Sequence, residues 1–324
     1  MHKVEKIREI ISEKIVNIPY NSEPKGLYDP VSYILNIGGK RIRPVFVLLS
    51  CDMFGGDIHK AIVPALGMEM FHNFTLVHDD IMDNADFRRG KETVHNLWGA
   101  NQAILSGDAM LILANKMMTE VEDKHLREVM QLYNDCGLKV CEGQQFDMNF
   151  EKINLISVSE YLKMIELKTA VLIAGCLRLG GIIAETTLGN KDIIEEFGIN
   201  LGLAFQIEDD YLDSFGDFES FGKKIGGDII VGKKTFLMVK AMELADEVQK
   251  KVLVDLMQSE SIGDDKKIEG VIDIYEELGV GAIALKQSRL YFDKAMELLD
   301  KLDVDPSRKT VFKEFSLSML NRSN

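Results

Sequence analysis

The spacing Asp-Asp-x-x-Asp occurs twice in this chain, each time where an apolar helical run ends, and no other feature restricts the fold as strongly. The first copy is Asp79-Asp80-Ile-Met-Asp83, and the second is Asp209-Asp210-Tyr-Leu-Asp213, which closes the run from Ile199 to Ile207. In a helix Asp79 and Asp83 lie one turn apart, roughly 6 Å along the axis, with Asp80 on the flank, so all three can address one volume. Three anions in one place need a cation. Mg²⁺ fits, because it accepts a few carboxylates and completes its shell with water and phosphate oxygens, and no cluster of thiolates or imidazoles competes. A lone copy could be a solvated acidic turn, since short motifs match freely. Two copies make coincidence the weaker explanation. The expectation is two acidic helix ends opposed across a cavity, clamping one diphosphate through several Mg²⁺ ions.

Composition agrees with a helical chain. With 324 residues, 46% hydrophobic, only 6 prolines and few alternating β-branched runs, the sequence predicts one all-α domain over residues 1–324. The net charge of -14 argues against nucleic acid or an acidic membrane surface as a partner, so any anion site has to be built from local positive charge. Cys51, Cys136, Cys141 and Cys176 form no Cys-x-x-Cys pair, which suggests neither a disulfide framework nor a zinc site and fits a reducing cytoplasm. The N-terminus lacks the basic-then-apolar order of a secretory signal. The most apolar later run, Ala170 to Ala184, contains Arg178 and three glycines and is shorter than the ~20 residues of a membrane span, so no stable membrane insertion is expected.

Along the chain, Val4 to Ile18 reads as a helix and Pro19 to Pro30 as a linking loop. Gly38-Gly39-Lys40-Arg41-Ile-Arg43-Pro44 either lets the backbone and three cations approach an anion, or is a helix stop followed by a solvated basic turn. Lys168, in an otherwise apolar stretch, is either a snorkelling lysine or a phosphate contact. Ser214 to Lys234, rich in glycine and lysine and directly after the second acidic triad, is the natural lid or else a solvated loop. Segments from Phe236 onward, beginning with one helix over Phe236 to Met257, read as amphipathic scaffold.

Taken together these motifs resemble the trans-prenyltransferases, the head-to-tail polyprenyl diphosphate synthases. The resemblance runs through Gly38-Gly39-Lys40-Arg41-x-Arg43-Pro44, His72 to Asp83, Arg88-Arg89-Gly90, Lys168-Thr169, Gln206-x-x-Asp209-Asp210-x-x-Asp213 and Gly222 to Thr235, in the family's order. It implies an isoprenoid-synthase-type helical bundle around a central cavity, active on isopentenyl diphosphate and an allylic diphosphate, and usually a homodimer. It further implies that Asp79, Asp83 and Asp209 bind about three Mg²⁺, with Asp80, Asp210 and Asp213 supporting. By the same resemblance Arg88, Lys168, Lys224 and Lys233 contact the allylic diphosphate. Lys40, Arg43, His72 and Arg89 hold isopentenyl diphosphate, and Thr169 and Gln206 stabilise the allylic cation.

Product length is expected to depend on an apolar tunnel beside the first acidic helix. Phe74 and Phe71 lie five and eight residues before Asp79, so their rings could floor it, and Thr75 stands where many relatives have Ser. The pattern resembles enzymes making C15 to C20 products, with geranylgeranyl diphosphate favoured. The alternatives are a longer-chain synthase and a non-catalytic subunit of a heteromeric one. The subunit alternative is weakened because both acidic triads and the basic set are intact.

Overall fold

The computed structural model describes residues 2–16, 18, 23–153, 155–216, 226–259 and 262–320. The chain is all-α, as the spacing implied. The strands among the described residues are β1 (Phe87–Arg88) and β2 (Lys91–Glu92), paired antiparallel. Two compact units make up the chain. One comprises Met1–Asn134, Gly175–Lys191 and Val304–Val311, and the other comprises Asp135–Ala174, Asp192–Asp303 and Phe312–Asn324.

The first unit is built on α1 (Val4–Val16), α2 (Lys25–Asn36), α3 (Ile42–Met53), α4 (Ile58–Met82), α5 (Val94–Trp98) and α6 (Ala100–Met118). Residues Pro44 to Met53 of α3 are buried without a break, which is the signature of a helix surrounded on all sides. Against it lies α9 (Val171–Ile183), where a Cβ on Gly180 would come within 2.7 Å of the Cys51 amide nitrogen, and the Ser50 hydroxyl donates to the Leu177 carbonyl at 2.7 Å. Helix α4 approaches α6 as closely: a Cβ on Gly67 would stand 2.8 Å from Met118 Cε. One expectation changes here. The stretch read as a loop up to Pro30 is already helical from Lys25, with Pro30 inside α2. The buried face of Pro30, Val31, Ile34 and Leu35 outweighs the backbone bond that proline cannot make.

The second unit includes α8 (Val158–Ile165), a π-turn (Glu166–Ala170), α10 (Leu188–Phe215), α11 (Gly227–Ile230), α12 (Phe236–Leu244), α13 (Glu247–Gln258), α14 (Asp264–Glu277) and α15 (Val280–Lys301). Helix α7 (Asp123–Glu151) precedes them, and α16 (Pro306–Leu320) ends the described chain. The single helix read over Phe236 to Met257 is broken at Ala245. Asp246 caps the next helix there in a reciprocal capping box with Gln249, a signal legible in the sequence as Asp-x-x-Gln. The core of this unit gathers Tyr161, Met164, Ile207, Phe236, Leu237, Tyr275 and Val280. No described helix is long and apolar enough to cross a membrane, and all four cysteines are unbridged.

Candidate active site

Helix α4 starts where the Asp57 side chain accepts from the His59 N–H at 2.9 Å. It ends in the first acidic triad, with the Asp83 N–H on the Asp79 carbonyl at 2.8 Å and Asn84 in the left-handed region at φ 48°. Carboxylates at this end meet the negative pole of the helix dipole, so the backbone adds to the demand for a cation. Asp83 is exposed and Asp79 partly exposed, but Asp80 is fully buried. Its two oxygens accept from Arg88 Nε at 2.8 Å each, and Arg88 Nη2 adds a third contact at 2.6 Å. Arg88 and Asp80, which the resemblance assigns to diphosphate and metal, are thus engaged with each other.

The basic residues converge beside the same helix. Arg41, at φ 50°, turns its guanidinium away from solvent onto buried Glu69 at 2.7 Å and onto the Leu35 carbonyl. Arg43 Nη1 lies 2.9 Å from His72 Nε2. Burial, reinforced by Arg43, Arg89, Arg88 and Arg41, holds the His72 pKa well below its ordinary value, so the imidazole is neutral and its Nε2 accepts a hydrogen bond from Arg43. Arg43 Nε is buried with no hydrogen-bond acceptor. A buried guanidinium donor left open is costly, and an anion is the ligand that would satisfy it. Arg89 donates to the Gly38 carbonyl, and its guanidinium carbon occupies space 2.7 Å from where a Cβ on Gly39 would stand. The second glycine is therefore a requirement of space as well as of its φ of 133°. Lys40 is exposed on the same turn.

Up the same helix the aromatic rings form a ladder. Phe71 and Phe74 meet edge to face at 5.5 Å, Phe74 continues onto His78 at 4.8 Å, and Phe71 rests on Tyr133 of α7 at 5.6 Å. The Thr75 hydroxyl bonds back to the His72 carbonyl at 2.8 Å. His78 reaches the Ile104 carbonyl at 3.2 Å and fills the space that a Cβ on Gly107 would need, which accounts for the glycine inside α6.

The second acidic triad ends α10, and here too the middle aspartate is buried, Asp210 being 2% exposed. Its partners differ. Asp210 Oδ2 accepts from the Tyr161 hydroxyl and from the Phe236 N–H at 2.7 Å, and Oδ1 accepts from Gln206 Nε2 at 3.1 Å. Burial, with the Asp228 charge added, pushes its pKa up to about 7 against the opposing pull of Lys233, Tyr161 and Phe236. Gln206 in turn accepts from the Thr169 hydroxyl at 3.2 Å. Asp209 is partly exposed and Asp213 buried, its Oδ2 accepting from the Asp228 N–H at 2.9 Å. Lys233 lies 3.4 Å from Asp228 Oδ1.

Lys168 and Thr169 sit in the π-turn, a backbone irregularity common at functional sites. Two glycines press on it: a Cβ on Gly143 would lie 2.7 Å from the Leu167 carbonyl carbon, and one on Gly202 2.6 Å from Ala170 Cα. Lys168 Nζ is 2.5 Å from Asp147 Oδ2, an ion pair that neither sequence reading of this lysine foresaw. Lys224 lies outside the described residues. The sequence reading also passed over Tyr161, Asp147, Asp228 and the role of Glu69. Only Glu69, a carboxylate in an apolar helix next to the motif, carried a visible signal.

The oxygen-only donors at both acidic ends suit Mg²⁺, with no thiolate among them. Residues 24–275 match the polyprenyl synthetase family. The chain belongs to that family. It is a prenyltransferase. Among proteins it resembles is a short chain isoprenyl diphosphate synthase of Methanothermobacter thermautotrophicus, 37% identical over 308 residues and covering 94% of each chain. A geranylgeranyl pyrophosphate synthase of Geoglobus acetivorans is 38% identical over 93% of this chain and 92% of its own length. A crystal structure of a geranylgeranyl pyrophosphate synthase superposes with a TM-score of 0.94 at 42% identity over 100% of both chains. The isoprenoid-synthase fold expected from the motifs is therefore the fold of this prenyltransferase.

Proposed function

We propose that this prenyltransferase condenses isopentenyl diphosphate head-to-tail with dimethylallyl, geranyl or farnesyl diphosphate, giving an all-trans product of C15 to C20, with geranylgeranyl diphosphate favoured. The observation that carries the reading is that each acidic helix end has its second aspartate buried and hydrogen-bonded; near the first end, Arg43 also keeps a buried donor open. Support for the length comes from the Phe71–Phe74–His78 ladder, closed by Tyr133, and from the similarity to geranylgeranyl synthases.

In this reading Asp79, Asp83 and Asp209 hold about three Mg²⁺, and Asp80, Asp210 and Asp213 position them or their neighbours. Bound there, Mg²⁺ supplies the charge that stabilises the departing diphosphate. Arg88, Lys168, Lys224 and Lys233 add cationic donors to the same leaving group. Arg43, with Lys40, Arg89 and the neutral His72, orients isopentenyl diphosphate, so its double bond faces the allylic carbon. The allylic C–O bond breaks with its electron pair passing to diphosphate. The isopentenyl double bond forms the new C–C bond, and the C2 proton leaves to the released diphosphate. Thr169 and Gln206 turn oxygen lone pairs toward the positive carbon.

A homodimer in the cytoplasm fits the sequence, and the exposed Leu97, Ile104, Leu105 and Ile112 of α5 and α6 are suitable for a subunit contact. Incubating the purified chain with Mg²⁺, isopentenyl diphosphate and each allylic primer, then weighing the dephosphorylated alcohols, tests the function. A C15 or C20 alcohol is expected. No elongation with any primer would sink the reading, and C30 or longer products would sink the length.

A further inference from the structure

We propose that Tyr161 is a positioning residue for prenyl transfer, fixing through Asp210 the orientation of the Gln206 amide and with it the direction of the Thr169 hydroxyl. The inference rests on the function proposed above. Tyr161 is 1% exposed on α8, a helix secured by the Ser157 and Glu160 capping box, and its ring packs at 6.0 Å on Phe236. Its hydroxyl and the Phe236 N–H converge on one oxygen of Asp210, while the other oxygen takes Gln206 Nε2 at 3.1 Å.

The polarity of this chain follows from donor and acceptor chemistry. In its ionised form Asp210 is acceptor only, and the Phe236 N–H and the Tyr161 hydroxyl both donate to Oδ2, so Oδ1 calls for a donor as well. Gln206 is therefore bound to present Nε2 to Asp210 and Oε1 to Thr169. Thr169 is then bound to donate its only hydroxyl proton to Gln206 at 3.2 Å, which leaves its lone pairs directed elsewhere. An electron-rich face is what an electron-deficient allylic carbon requires nearby. The backbone that carries Thr169 is already fixed, because the π-turn is pressed by Gly143 and Gly202. What packing leaves undetermined, the hydroxyl rotor and the amide flip, the Tyr161 relay determines. Nothing in the sequence motif demands Tyr161, which stands 49 residues before Asp210.

Tyr161→Phe keeps the ring and deletes the donor. The expected result is a kcat lower by about tenfold or more, with KM for both diphosphates within about twofold. A double-mutant cycle separates positioning from general loosening: in a Thr169→Val background, Tyr161→Phe should lower kcat by clearly less than in the wild type, because the Thr169 share of the relay is already gone and only the Gln206 share is left to lose. An equal loss in both backgrounds, or a loss carried by KM, would overturn the proposal. If Tyr161→Phe does not fold, p-aminophenylalanine at position 161 retains the ring and a weaker donor for the same cycle. A larger loss in the wild-type background than in Thr169→Val is then expected, and equal or no loss in both backgrounds overturns it. An inactive wild-type chain would count against the condensation itself, whereas an active wild type matched by Tyr161→Phe would count against Tyr161 alone.

Discussion

The two acidic helix ends share a five-residue spacing and little else. At the end of α4 the buried middle aspartate is neutralised by a cation, Arg88, through three contacts of 2.6 to 2.8 Å. At the end of α10 the corresponding aspartate is held by a phenol, a backbone N–H and an amide, and burial leaves its pKa at about 7. Beneath the first end stand Phe74 and Phe71. At the same spacing beneath the second stand Ala204 and Leu201. The same letters therefore build one end whose inner carboxylate is a charge partner and whose stem is aromatic, and another whose inner carboxylate organises a neutral network. Both copies bury the second aspartate; its neighbours decide what that inward carboxylate does.

The largest expected effect that would break this comparison is on stability. Arg88→Met leaves Asp80 buried without its cation and should cost about 3–5 kcal/mol. Tyr161→Phe at the other end removes only one neutral donor and should cost about 1–3 kcal/mol. Urea unfolding of both variants measures the gap, and equal losses would show that the two inner aspartates are held alike. Next in size, Asp79→Asn and Asp209→Asn should each lower kcat by about a hundred- to a thousandfold while leaving the fold intact, if both ends serve one diphosphate. A loss confined to one of the two, read from initial rates at saturating Mg²⁺, would make the ends functionally unequal.

A smaller effect sharpens the contrast in charge. In EDTA, the folded chain keeps a proton on Asp210 up to about pH 7, whereas the unfolded carboxyl loses it near its ordinary 3.8. Its contribution to stability is therefore present at low pH, declines as pH rises between those values and levels off above them. Unfolding midpoints of wild type and Asp210→Asn should share a common pH slope above about 7 and below about 3.8, and differ between those values. Identical slopes throughout would place Asp210 in an unperturbed environment. The smallest change in rate, though visible in product, is expected from Phe74→Ala. Opening the ladder between Phe71 and His78 should lengthen the product by one or two isoprene units with turnover of similar size. An unchanged product from a folded, active variant would remove Phe74 as the floor.

Much of the fold and of the site was legible in particular residues. The helical periodicity that ends in Asp79 and in Asp209 and the Gly38-Gly39 stop are local signals that a sequence displays, whereas the Arg43–His72 contact spans 29 residues and is not. What escaped were contacts between residues far apart in the chain. Lys168 reads as a snorkelling lysine or a phosphate contact, and its ion pair with Asp147, 21 residues away, goes unseen. The π-turn escaped because Glu166–Ala170 is a helical sequence by propensity. Its irregular backbone accompanies the close approach of Gly143 and Gly202, which no local signal records.

The sequence by itself determined the all-α class and the two acidic motifs, with oxygen donors that would suit a hard cation, because helical periodicity and the charge of an aspartate are properties of a few neighbouring residues. Only the tertiary structure decided which aspartates of the two triads are buried, that Asp80 is met by a guanidinium and Asp210 by a phenol, and which way the Gln206 amide points. Those outcomes depend on desolvation and on donors brought in from distant helices, and burial is a property of the packed chain that no single segment possesses.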